Sequence, residues 1–348
     1  AFNKKFFTTG GIVASSGAGA FDPLKNFDIV TYTGNGGTKS ISSLDFQPDF
    51  VWIKTRSDIG GSNHFLFDSI RGATNRLFSN LPNIEIADTD SLTSFDSNGF
   101  TVGDDISCNG SGESIVSWCW KAGGAYVTDT SGDLDADISA NQDAGFSIIR
   151  PDVQTGVNQS IPHGLSQSPE LIIQKNTAAS QNWMVYAPSI LDPSTRKFAY
   201  LNTNGAFITG GASSGTGFVP TVDSTFITTP GVSGVSNYDY WFGKPNIIYA
   251  FHSVDEYQKV GSYSGGTSGY EVTLDFTPRF VMIKNATNAG GWLIVDSQRG
   301  SNELYPHLTN AEDTTTTNVV LGTNKFTLNT TGSWYNASGS TYIYLAIA

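Results

Sequence analysis

The stretch Leu44-Asp45-Phe46-Gln47-Pro48-Asp49-Phe50-Val51-Trp52-Ile53-Lys54 returns as Leu274-Asp275-Phe276-Thr277-Pro278-Arg279-Phe280-Val281-Met282-Ile283-Lys284, with eight of eleven positions identical. Both copies follow a Tyr and a Gly-rich turn: Tyr32 with Gly34, Gly36 and Gly37, then Tyr263 with Gly265 and Gly266. Downstream, Phe67-Asp68-Ser69-Ile70-Arg71-Gly72 matches Val295-Asp296-Ser297-Gln298-Arg299-Gly300. A weaker third copy lies between them, where Pro169-Glu170-Leu171-Ile172-Ile173-Gln174-Lys175 takes the place of Pro48 to Lys54, and Lys175 precedes Trp183 by the spacing that separates Lys284 from Trp292. Each copy closes on an aromatic run: Ile115 to Trp120, Ile247 to His252 and Tyr342 to Ile347. Self-similarity of this length marks a chain built from repeated units. The expected organisation is an arm over 1–26, units over 27–121, 146–253 and 257–348, and a linker over 122–145.

Within a unit the pattern is that of strands. Runs of about four to eight residues rich in Val, Ile, Phe, Trp and Tyr are bounded by Gly, Asn, Asp and Ser, without a sustained helical period. Phe50 to Ile53 and Phe280 to Ile283 are continuously apolar, which predicts strands covered on both faces. Pro48, Pro169 and Pro278 suit strand entrances, where a missing N–H is tolerated. Units of this size point to an all-β chain of three tandem, diverged β-sandwich domains behind a short extended N-terminal arm.

Composition narrows the function. Charged residues are 14% of the 348, and the net charge of −12 opposes phosphate-driven binding of nucleic acid. His64, His163, His252 and His307 are dispersed without zinc-site spacing, and no cofactor or metal is expected. Cys108 and Cys119 are too few for a disulfide framework; a buried free thiol is the plainer reading of Cys119, and pairing with Cys108 stays open. Lys4 and Lys5 precede no apolar stretch of signal-peptide length, and no run approaches the length of a membrane helix, so the expectation is a soluble chain without secretion.

In this setting the motifs Tyr32 to Gly36, Phe46 to Lys54, Trp292 to Gly300 and Thr341 to Ala346 resemble, in order, those of a tandem-repeat family from marine bacteriophages of cyanobacteria and Pelagibacter-like hosts. The resemblance runs from about Phe27 to the C-terminus. It implies a virion structural or tail-fibre-like protein, partnered by other capsid or tail proteins and by copies of itself. The middle copy departs from the pattern, lacking the Asp and the Arg-Gly pair and gaining an insertion.

The remaining constellations read as structure first. Asp133-Leu134-Asp135-Ala136-Asp137 begins like a calcium loop, but Ile138 and Ala144 stand where Gly and Glu belong, which leaves an acidic, solvated linker. Gly34 to Gly37 lacks the helix and Lys of a phosphate cradle and reads as a hairpin turn. Asp68 with Arg71 and Asp296 with Arg299 read as local turns stabilised by an ion pair, worth at most about 1 kcal/mol if exposed, because the middle copy has Ala187 and Ile190 there. The insertion ends in Asn237-Tyr238-Asp239-Tyr240-Trp241-Phe242; Tyr238, Tyr240, Trp241 and Phe242 either fill a core or present rings to a partner or host glycan. In the arm, Phe2, Lys4, Lys5, Phe6 and Phe7 are the candidate attachment residues to a larger particle. The expected function is non-enzymatic: a structural protein on the outside of a virion, as capsid decoration or tail appendage. A glycan-binding adhesin is the alternative, and a secreted glycan-active enzyme is disfavoured.

Overall fold

In the computed structural model, which describes residues 21–57, 61–154, 156, 158–191, 197–209, 219–230, 243–332 and 334–348, every unit repeats one pairing scheme. After a single 3-10 turn at Pro23–Lys25, unit 1 comprises β1 Phe27–Thr33, β2 Lys39–Ile41, β3 Phe50–Thr55, β4 Phe65–Asp68, β5 Asn75–Phe78, β6 Ile86–Ala87, β7 Leu92–Asp96, β8 Gly99–Val102 and β9 Ser114–Trp120. The chain continues with β10 Val127–Asp129 and β11 Ala136–Asn141. Unit 2 follows with β12 Phe146–Pro151, β13 Ser160–Pro162, β14 Leu171–Asn176, β15 Met184–Tyr186, β16 Lys197–Tyr200, β17 Ile208–Thr209, β18 Thr221–Val222, β19 Phe226–Thr228 and β20 Asn246–Phe251. Unit 3 has β21 Gln258–Ser264, β22 Tyr270–Thr273, β23 Phe280–Asn285, β24 Trp292–Asp296, β25 Gly300–Leu304, β26 Val319–Gly322, β27 Lys325–Leu328 and β28 Thr341–Ile347.

The large antiparallel sheets run β1-β9-β3-β4-β5-β6, β10-β11-β12-β20-β14-β15-β16-β17 and β21-β28-β23-β24-β25. Each faces a small one: β2-β8-β7, β13-β19-β18 and β22-β27-β26. The chain is all-β, in three sandwich units. The closing strand lies mid-sheet, and Phe50 pairs with Trp120, Leu171 with Phe251 and Phe280 with Ile347, so Lys54, Lys175 and Lys284 hold one register. Pro48, Pro169 and Pro278 each stand two residues before their strand.

The continuous apolar runs have a specific cause. Side chains alternate along a strand, so Val51 and Ile53 fill the sandwich of unit 1 with Phe67, Phe100 and Val102. Ile172 with Ile227, and Val281 and Ile283 with Phe326, do the same in units 2 and 3. The opposite faces, carrying Trp52, Trp118, Ile173, Tyr249, Met282 and Leu345, meet in one core shared by all three units. The second cover on each central strand is therefore the other units.

Two expectations are corrected. Segment 122–145 is not a loose linker: β11 pairs along β12, and Leu134, Ala136 and Ile138 enter the sandwich core of unit 2. The acidic side chains between them point outward by strand alternation, while the apolar ones go in. Gly34 to Gly37 is not a hairpin turn, since β1 pairs with β9 and β2 with β8. It carries the chain from the large sheet to the small one; a Cβ at Gly34 would meet the Gly110 carbonyl oxygen at 2.1 Å. Cys108 and Cys119 are free and buried, and burial pushes both thiols well above their ordinary pKa.

Candidate functional site

The chemistry-bearing residues collect at the seams between units, and the seams repeat in cyclic order. At the first position of the fourth-strand hairpin, Trp183 of unit 2 donates its Nε1–H to the Phe78 carbonyl of unit 1 at 2.7 Å, and Trp292 of unit 3 to the Tyr200 carbonyl of unit 2 at 2.9 Å. The pairings Ile53 with Phe65 and Phe65 with Phe78 place His64 and Tyr305 at the matching positions between units 1 and 3. The lysines follow the same cycle. Lys175 Nζ donates to the Pro82 carbonyl at 3.2 Å and Lys54 Nζ to that of Thr309 at 3.5 Å. Lys284 Nζ donates to Gly290, whose own N–H reaches the Asn204 carbonyl at 2.8 Å. Thr309, Pro82 and Asn204 are equivalent positions, so the units close into a pseudo-threefold ring.

A polar clasp occupies two of the seams. Asp68 accepts from the Arg71 Nε at 2.5 Å, and Asp296 from the Arg299 Nε at 2.6 Å, with the backbone N–H of each Arg on the second oxygen. Glu85 and Glu312 engage the outer guanidinium nitrogens at 3.0 and 3.1 Å. From across the seam, Tyr249 OH donates to Asp68 at 2.7 Å, and Trp118 Nε1 to Asp296 at 2.9 Å. Burial, and then Asp68, push the Tyr249 phenol well above its usual pKa, which keeps the donor protonated. Both Asp side chains are fully buried and both Arg side chains nearly so. The local ion-paired turn read from sequence is present, but buried: these pairs are inter-unit clasps, whose rupture strands a charge in the core.

The third seam replaces the whole set. Counting along the matched strands, Ala187 stands for Asp, Ile190 for Arg, Phe207 for Glu and Leu345 for the ring donor. Ala187, Phe207 and Leu345 belong to the shared core, and Ile190 packs against it. All four polar members are absent together, as expected when a buried donor or acceptor cannot be left alone.

The profile of one family matches residues 22–348. The chain belongs to DUF7483, a domain of unknown function. The DUF7483 match spans the ring of three units rather than one repeat. No curated protein and no solved structure matches it.

Burial lowers Lys175 and Lys284 to about 7, a value that elsewhere marks nucleophilic lysines. Here Lys54, Lys175 and Lys284 are wholly buried and donate to backbone carbonyls. An open groove of about 670 Å³ lies at the mouth of the seam between units 1 and 3, lined by Gly61, Tyr305, Thr309, Asp313 and half-exposed Trp334. Asp313 is committed to its own turn, accepting from the N–H groups of Thr315 and Thr316 at 2.8 and 3.1 Å.

Tyr238, Tyr240, Trp241 and Phe242, together with Phe2, Lys4, Lys5, Phe6 and Phe7, lie outside the described residues. Sequence reading missed His64 as the counterpart of Trp183 and Trp292. The eight-residue spacing from Lys becomes ten in unit 1, and only aligning Phe65 to Asp68 with Leu293 to Asp296 recovers it. It also missed that alternate residues of the closing strands reach into the next unit.

Proposed function

We propose that this chain is a non-catalytic structural component of the outside of a bacteriophage particle, a capsid decoration or tail appendage. The observation that carries the reading is where its buried polar groups are spent. The three lysines, both Asp–Arg pairs and the ring donors that reach them all serve to lock three sandwiches into one body. Such a body is what an exposed particle component needs, and the motif resemblance to marine phage proteins supports the same reading. Partners would be other virion proteins and further copies of itself, with the arm over 1–26 as the proposed attachment.

The test is location. Purified particles carrying the protein would be imaged at low resolution with a label on its C-terminus. Density at regular sites on the shell or along the tail supports the proposal, and exclusion of the protein from purified particles overturns it.

A further inference from the structure

Units 1 and 2 are joined by 122–145 and units 2 and 3 by 252–257, whereas units 1 and 3 meet without a connecting segment between them. That ring-closing seam departs from the other two at a pair of matched positions. Where they place Trp183 and Trp292, it has His64; where they place Asn80 and Asn202 beneath the following backbone N–H, it has His307. Asn80 Oδ1 accepts from His64 N at 3.1 Å, Asn202 Oδ1 from Trp183 N at 3.0 Å and His307 Nδ1 from Trp292 N at 3.3 Å. Both exceptions are histidines, and they face one seam from its two sides.

We infer that this seam is a proton-operated latch: protonation of His64 and His307 in mildly acidic solution releases unit 1 from unit 3, while the other two seams stay closed. His64 is fully buried, its ring parallel to Trp118, and its Nδ1 accepts from Trp52 Nε1 at 3.0 Å. The neutral ring therefore carries its proton on Nε2, which faces the Tyr305 backbone. The Trp rings at the other seams spend the same N–H on a carbonyl.

A second proton on either ring meets cations. Lys54 from β3, Arg299 from the turn after β24, and His307 face His64, and Lys284 from β23 faces His307. The nearby carboxylates are engaged: Asp296 by Arg299 and Trp118, Glu312 by Arg299 and Arg56. Burial first, then Lys54, His307 and Arg299, lower His64 well below the ordinary range, with the Tyr305 backbone opposing them. Burial and Lys284 lower His307 to about 4. In an opened seam both rings regain water and titrate near 6.5, so the open form binds more protons below that pH. The closed seam is intact above about pH 6.5 and loses stability as pH falls from there towards about 4.

The experiment is hydrogen exchange of the full chain by mass spectrometry at about pH 7.5 and about pH 5, corrected for intrinsic rates. The expected result is a loss of protection of about tenfold or more in peptides over 61–67 and 302–310, with 182–186 and 198–202 unchanged. His64→Gln with His307→Asn should keep the seam protected at the lower pH. His307→Asn alone installs the residue the other seams carry, and should move the opening to lower pH. The inference is overturned by equal loss at all three seams, by unchanged protection in the wild type at about pH 5, or by opening at an unchanged pH in His307→Asn.

Discussion

Asp296 shows what a single side chain holds in this molecule. It receives four bonds, from Arg299 Nε, Arg299 N, Gln298 N and, across the seam, Trp118 Nε1. Asp296→Ala should cost about 3–5 kcal/mol in chemical denaturation, because Arg299 remains buried with Glu312 alone. Copying the apolar seam outright, with Trp118→Leu, Asp296→Ala, Arg299→Ile and Glu312→Phe together, should cost less than the single change. Arg56, which loses Glu312, is partly exposed and can turn to water. A quadruple variant weaker than Asp296→Ala would show that the two kinds of seam are not interchangeable. The lysines give a pH signature. Lys284 falls from 10.5 to about 7 by burial, so between these values the unfolded chain binds the proton and the folded chain does not. Folding stability from this group therefore rises with pH across that window. Lys284→Met should flatten the denaturation midpoint between about pH 7 and about pH 9, and an unaltered slope would assign the dependence elsewhere. From sequence the Asp–Arg pairs were legible as pairs but not as buried, because their cover comes from strands 178 and 181 residues away, beyond any local pattern.

At the scale of elements, local chemistry was a good guide where a strand is apolar and bounded by turns. Pro278 before β23, the register of Lys54, Lys175 and Lys284, and the closing strands β9, β20 and β28 were all legible. β10 and β11 were not. Asp133, Asp135 and Asp137 alternate with Leu134, Ala136 and Ile138, and a short strand with one polar face is easily read as solvated loop. The distinction can be measured. Ile138→Ala should lower stability by about 2–5 kcal/mol as a core truncation, whereas a change in a free linker would stay within about 0.5 kcal/mol. The aromatic run at 238–242 distinguishes one unit from the others by insertion. The same comparison, applied position by position instead of by insertion, singles out His64 and His307.

For the molecule as a whole, the shared core sets how it melts. Each large sheet leaves one face of its central strands to the other units, so no unit holds a complete core alone. Calorimetry should show one cooperative transition for 22–348, and separate peaks for the units would contradict a common core. Excised residues 257–348 would bare Phe280, Met282 and Leu345 and should self-associate. The same closure bears on chain order. Phe21 stacks edge-on against Tyr257 at 4.8 Å, and Ala348 donates its N–H to the Tyr257 carbonyl at 2.8 Å. The two ends of the described body thus abut one residue at the start of unit 3. A short Gly-Ser bridge from 348 to 22, with the backbone opened instead between units 2 and 3, should give a circular permutant that folds to the same ring. In it, the seam that now closes without a chain connection would become covalent, and a different one would be left to close unaided.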